Sequence, residues 1–389
     1  MRYLIEPNEM MGFIELLNAG QYYARSTPDG QKGDGIITWT KAHPELNATS
    51  FKDLTTFINL YDQRARAKGE ASFTTALKNN ILNIHSLSDQ KISILDAYPQ
   101  EGKRLCSMID TIYPFYNKFY DQTVKKQSLT KCAGQLTQAM NASPALSIEQ
   151  VAQFYSYQIP ADHTAIMYIY PSENPYGTNF STPYGSIQAA GLRTDRPFNP
   201  PRSFIFHEKV HGIFEESGQH AWLHKYLTAD NPIVRAMSRY PELKQTEVLD
   251  SAQAARQTIN EALTTAFQGI YEERLQQETG LPLKIRDNLY ETQPAINTMA
   301  HRLIPLLKDA LKTGETFGSA FMKKVEKEFM SVVDNPALMQ EIRAKQTRAP
   351  MRKETSISKL ISTLLKPLGN RSTTAQVSPS VQSRNNPGK

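Results

Sequence analysis

His207, Glu208 and His211 stand together in Ser203-Phe-Ile-Phe-His-Glu-Lys-Val-His-Gly-Ile-Phe-Glu-Glu-Ser-Gly218. The two histidines are four apart, so on a helix their imidazoles lie one above the other on one face. That spacing lets both rings reach a single zinc ion at ~2.0–2.1 Å. Glu208, beside the first histidine, is placed to take the proton of a metal-activated water as a general base. Phe206, Val210, Ile213 and Phe214 form an apolar stripe on the same helix. Ser203 reads as its N-cap and Gly218 as its stop. Lys209 places a cation directly after the glutamate in an otherwise largely apolar stretch.

Zinc needs a third protein donor. Glu215 lies about 12 Å along the helix axis from His207 at ~1.5 Å rise per residue, and three donors on a line cannot converge on one ion. The metzincin arrangement would need Gly three residues after His211 and His six after; Phe214 and Ser217 occupy those places. His220 and His224, four apart in Gln-His-Ala-Trp-Leu-His, are nearby candidates. A better one is Glu261, in Thr258-Ile-Asn-Glu-Ala-Leu-Thr-Thr-Ala-Phe-Gln-Gly-Ile-Tyr. There Ile259, Leu263, Ala266 and Ile270 make an apolar helix face, while Glu261, Thr264, Thr265 and Gln268 make a separate polar stripe. Glu272 and Glu273 on the same helix are further alternatives.

On these residues, His207-Glu208-x-x-His211 and Asn260-Glu261, the chain resembles the gluzincins, the thermolysin-like zinc peptidases. The resemblance lies within residues 160–275 and does not extend to the N-terminal half. It implies one zinc ion (Zn2+) held by His207, His211 and Glu261, Glu208 as base, and hydrolysis of a peptide bond in a protein or peptide substrate. It implies an α+β fold, mostly helical and zincin-like, with a small sheet and zinc between helices at 204–217 and about 252–276. Gluzincins also take an oxyanion donor, a His or Tyr, from a later helix, and His301 and Tyr290 lie at suitable distances along the chain. They place an acidic residue four after the ligand glutamate to orient a ligand histidine; Thr265 stands there here. They pair an extended peptide with an edge strand shortly before the zinc helix, a place that Gly185–Ala190 would fill.

The elements that must position these groups are legible in outline. Residues from about 50 to 155 read mostly as helices, with Leu54, Phe57, Ile58 and Tyr61 at helical spacing and Ser147 capping a later helix. Thr164–Tyr170 is β-branched and aromatic, ends at Pro171, and reads as a strand. Residues 171–185 are rich in Pro, Gly, Ser, Asn and Thr and read as a loop, with a short strand at 185–190 after it. Pro197, Pro200 and Pro201 stop regular structure before a helical region from Ser203 to about Met330. We expect three parts: a helical N-terminal region of unknown role over 1–155, a zincin-like domain over 156–346, and a basic tail over 347–389.

The net charge of +6 conceals this division. From Arg343 to Lys389 there are ten Lys or Arg and one acid, Glu354, giving 10 − 1 = +9, so the remainder carries 6 − 9 = −3. A basic tail on a mildly acidic body is poor support for a nucleic-acid-binding fold, and no specific nucleic-acid contact is expected. Within the tail, Ile357, Leu360, Ile361, Leu364, Leu365 and Leu368 share one helical face, suited either to packing on the body or to peripheral contact with a membrane or partner. No apolar run approaches the ~18 residues of a spanning helix. The N-terminus carries acids inside its apolar stretch, unlike a secretory signal. Two cysteines, Cys106 and Cys132, are too few for a disulfide scaffold or a multi-cysteine zinc module. A cytoplasmic protein is expected, or one exported by a signal-peptide-independent system. The rival reading is an interaction module with a degenerate or structural zinc site, such as a secreted bacterial effector.

Overall fold

Buried Tyr3 and Ile5 alternate with exposed Arg2 and Glu6, the period-two pattern of a half-buried strand. This first strand, β1 (Arg2–Pro7), opens a chain whose computed structural model describes residues 2–23, 86–97, 102–120, 123–142, 147–161, 163–171, 176–182, 185–192, 202–244, 250–280 and 293–348, with isolated positions between 58 and 84. The chain divides into two units, Met1–Met351 and Arg352–Lys389, and every described residue belongs to the first. Apart from Ile58, which is buried, the helix expected at 51–61 lies outside the described residues, as do Tyr290 and the apolar face Ile357–Leu368.

The protein is α+β and mostly helical. Helices α1 (Glu9–Tyr23), α2 (Leu87–Ala97), α3 (Gly102–Tyr120), α4 (Thr123–Ala142) and α5 (Ile148–Phe154) precede the strands β2 (Thr164–Pro171), β3 (Tyr176–Thr182) and β4 (Gly185–Leu192). The sheet order is β1-β2-β4-β3. β1, β2 and β4 are parallel, with Tyr3 opposite Ala165 and Met167 opposite Gln188. β3 runs antiparallel to β4, from Tyr176 opposite Gly191 to Thr182 opposite Gly185.

The expected strand at 164–170 is present, and Ser147 caps α5 with a full capping box to Gln150. The loop expected over 171–185 is instead interrupted by β3. Its Tyr, Thr and Phe residues favour a pleated surface, and pairing with β4 outweighs the turn-forming Gly177, Asn179 and Ser181. β4 consequently lies inside the sheet and is not the edge strand the sequence suggested.

The other edge is closed by side chains of α4. The Asn141 carbonyl oxygen accepts from the Tyr3 N–H at 2.8 Å while its amide donates to the Tyr3 carbonyl at 3.0 Å. Thr137 Oγ1 accepts from the Ile5 N–H at 3.1 Å. These bonds satisfy backbone groups that would otherwise invite another strand. α1 lies on β2 where Gly12 allows close approach: a Cβ there would stand 2.8 Å from Tyr170 Cβ.

Beyond the sheet come α6 (Arg202–Glu216), α7 (Gln219–Tyr226), α8 (Pro232–Arg239), α9 (Ser251–Thr279), α10 (Pro294–Thr313), α11 (Ser319–Val333) and α12 (Pro336–Arg348). α6 begins at Arg202, so Ser203 sits within its first turn and is buried. Gly218 follows the helix with φ of 74°, a left-handed conformation that glycine adopts without strain. α9 is capped by Asp250, whose side chain accepts from the Gln253 N–H at 2.7 Å, and closed by left-handed Gly280.

Two apolar cores meet at α6. Phe204 and Ile205 join the residues of the sheet, α1, α3 and α4. Phe206, Val210, Ile213 and Phe214 join α5 and the C-terminal helices. Burial on both sides, worth about 1.5–3 kcal/mol for each large side chain, fixes the orientation of this helix about its axis. No helix among the described residues is long and apolar enough to cross a membrane.

Candidate metal centre

α6 and α9 pack antiparallel. The Phe206 ring stacks on Tyr271 with centroids 4.5 Å apart and planes 12° from parallel, and further along the same pair of helices His207 and His211 meet Glu261. The Nε2 atoms of His207 and His211 are 3.1 Å apart. Glu261 Oε2 is 3.7 Å from the first and 3.5 Å from the second. Among the described residues this is the group of metal-ligand side chains whose donor atoms converge.

The spacing suits a small cation. Three donors at ~2.0–2.1 Å from a tetrahedral ion stand about 3.3 Å from one another, close to the three separations observed. The donor set, two imidazole nitrogens and a carboxylate oxygen, is one that zinc accepts. His207 is buried and His211 nearly so, while the Glu261 side chain keeps 27% of its surface exposed. The cluster is therefore walled largely by protein, and of the three side chains Glu261 has the most contact with solvent.

Electrostatics shows the same demand for positive charge. Burial pushes His211 down, but the Glu261 carboxylate beside it, helped by Glu208 and Glu215, more than offsets this and raises it to about 9. Burial pushes Glu261 up, and His211 and then His207 reverse this and hold it at about 2. In the metal-free chain, the Glu261 contribution to stability is present above pH 4.5 and lost as pH falls through about 2. The His211 contribution is present below pH 6.5 and lost as pH rises through about 9. The metal-free fold should accordingly be most stable near pH 4.5–6.5.

At neutral pH His211 holds a proton that a metal must displace. Zinc affinity should then rise about tenfold per pH unit from 7 towards 9, with about one proton released per ion. Calorimetric titration in buffers of different ionisation enthalpy measures both quantities. An affinity unchanged across that range would show that His211 gives up no proton on binding.

The remaining sequence candidates fall elsewhere. Glu208 is buried, and its charge is felt at His211. Glu215 is exposed and outside the converging group, as its position along the helix axis requires. His220 and His224 lie exposed on α7, the His220 ring perpendicular to that of Phe214. Glu272 is buried and accepts from Gln268 Nε2 at 2.9 Å, and Glu273 pairs with Lys308 on the surface. His301 is exposed on α10, and among the described residues no hydrogen bond or ion pair joins it to the three converging side chains.

Two features were not foreseen. One is the role of Lys209, which lies about half a turn around α6 from the histidine pair and is 1% exposed. Its Nζ is 3.3 Å from His163 Nε2 and 3.8 Å from Glu216 Oε1, and the Tyr157 hydroxyl donates to the same Glu216. Burial pulls the ammonium down and Glu216 pushes it back up. The lysine that looked foreign to the motif thus pins the far side of the helix to the segment leading into β2. Lys209→Met, of similar volume, removes one partner of Glu216 and should cost about 1–3 kcal/mol in denaturant unfolding with the converging donors untouched. Wild-type stability in that variant would show that the pair contributes nothing net.

The other feature is Thr264, fully buried, whose Oγ1 is 3.4 Å from His211 Nδ1. Thr265, the position the resemblance singled out, instead has a buried hydroxyl with no hydrogen-bond partner. Only the antiparallel register of α6 against α9 selects position 264 over 265; the sequence offered both within one polar stripe.

Comparison with protein-family models, with curated proteins and with solved structures returned no match.

Proposed function

We propose that the chain is a zinc-dependent peptidase of gluzincin-like, zincin type. The observation that carries this reading is the convergence of His207, His211 and Glu261 from two helices onto one point. Three converging protein donors match catalytic zinc sites, whereas structural zinc is closed by four. That distinction weighs against the alternative of an interaction module with a structural metal site.

When bound, zinc supplies Lewis acidity, polarising the scissile carbonyl and acidifying water. His207 and His211 each present an imidazole nitrogen, and Glu261 balances the charge. Glu208 takes the proton of the attacking water and returns it to the leaving amine. Its buried setting beside the histidines favours that exchange over loss to solvent. β3 offers the substrate a backbone to pair with: among the described residues it is the last strand of the sheet, it packs against α6, and it lies at the edge opposite the one that α4 closes. An extended peptide would add there by strand pairing. The oxyanion donor is His301 or Tyr290 by resemblance alone, and the tail beyond Arg348 would serve peripheral contact with a membrane or partner.

The direct test incubates the zinc-loaded chain with a complex peptide mixture and maps new termini by mass spectrometry. Cleavage that requires both zinc and Glu208 supports the assignment. A zinc-binding chain that generates no new termini beyond those seen with Glu208→Gln would sink it.

A further inference from the structure

We infer that Thr264 is the positioning residue for the His211 ligand, acting through His211 Nδ1 so that Nε2 faces the metal. This rests on the zinc reading above. Nε2 of His211 points into the cluster, 3.1 Å from His207 Nε2 and 3.5 Å from Glu261 Oε2. With Nε2 engaged by a cation, the ring proton resides on Nδ1 and needs an acceptor. Thr264 Oγ1, at 3.4 Å, is the side-chain oxygen in place to receive it.

The location strengthens the assignment. Thr264 is 0% exposed, so water does not compete for His211 Nδ1 on that side. It sits on α9 three residues after Glu261, and the same helix therefore carries both the third ligand and the group that orients the second. A β-branched side chain on a helix has few rotamers, which holds the hydroxyl in place. A neutral hydroxyl replaces the carboxylate usual in the resembling peptidases. It orients the imidazole without adding negative charge, and so leaves Glu261 as the dominant anion at His211.

Partners of this kind typically change metal affinity by about 10–100-fold. The experiment measures zinc affinity of the full chain by competition with a chromophoric chelator, which does not depend on activity. Thr264→Val keeps the shape and removes the acceptor, and should bind zinc about 10–100-fold more weakly than wild type. Thr264→Ser keeps the acceptor and should stay within about threefold of wild type. Thr265→Val removes the neighbouring unpartnered hydroxyl and should leave affinity unchanged. If Thr264→Val does not fold, Thr264→Ser and Thr264→Ala share the same missing methyl and differ only in the hydroxyl; the same 10–100-fold gap between them is then expected. Wild-type affinity in Thr264→Val, or equal affinities in the Ser and Ala variants, would overturn the role. Absence of zinc binding by the wild type would instead remove the zinc site altogether, a result distinct from both.

Discussion

Glu208→Gln should keep about one zinc per chain and lose peptide hydrolysis by about 10²–10⁴-fold. The amide has the shape of the carboxylate, so the buried position beside His207 stays filled. It cannot accept a proton at neutral pH, so the attacking water is no longer activated. The change also removes one of the negative charges that lift His211, so His211 in the metal-free variant should titrate lower than in the wild type. Initial rates on a quenched fluorescent peptide, measured beside metal content on the same preparation, separate the two effects. A rate equal to wild type would show that another group is the base.

His207→Ala, His211→Ala and Glu261→Ala should each reduce zinc after dialysis from about one ion per chain to a small fraction of that, because two protein donors no longer hold the ion. The same variants should lose the thermal stabilisation that zinc gives the wild type, about 4 kcal/mol at a thousandfold excess over the dissociation constant. Glu261→Ala is the most discriminating of the three. It removes the anion that raises His211, so the metal-free variant should titrate His211 nearer its ordinary value, a shift visible by NMR. Full zinc retention by Glu261→Ala would move the third donor elsewhere, and His220 would be tested next.

Much of this site was legible in one dimension because helices have a fixed period. Four-residue spacing puts His207 and His211 on one face whatever surrounds them. A rise of ~1.5 Å per residue excluded Glu215 before any contact was known. The polar stripe of α9 was visible for the same reason, and so was the strand at 164–170, whose apolar content admits few other states. The sheet was less legible. β1 is only six residues long, and its partner β2 lies 162 positions further along the chain, so no local pattern announces their pairing. β3 was hidden by turn-forming residues whose preference pairing with β4 overrides.

Local sequence by itself determined the chemistry available: two imidazoles and a neighbouring carboxylate on one helix, and a second helix carrying an acid in a polar stripe. Periodicity and side-chain type are local properties, and they are enough for that. Only the tertiary structure decided which groups meet. The register of α6 against α9, set by the stacked Phe206 and Tyr271, brings Glu261 to the histidines and Thr264 rather than Thr265 to His211. Packing of α6 between two cores brings Lys209 beside His163, 46 positions back in the chain. The sheet order makes β3, not β4, the outer strand beside the site. Each of these follows from packing between segments far apart in the chain, where an offset of one residue turns a side chain about 100° around a helix or to the other face of a strand.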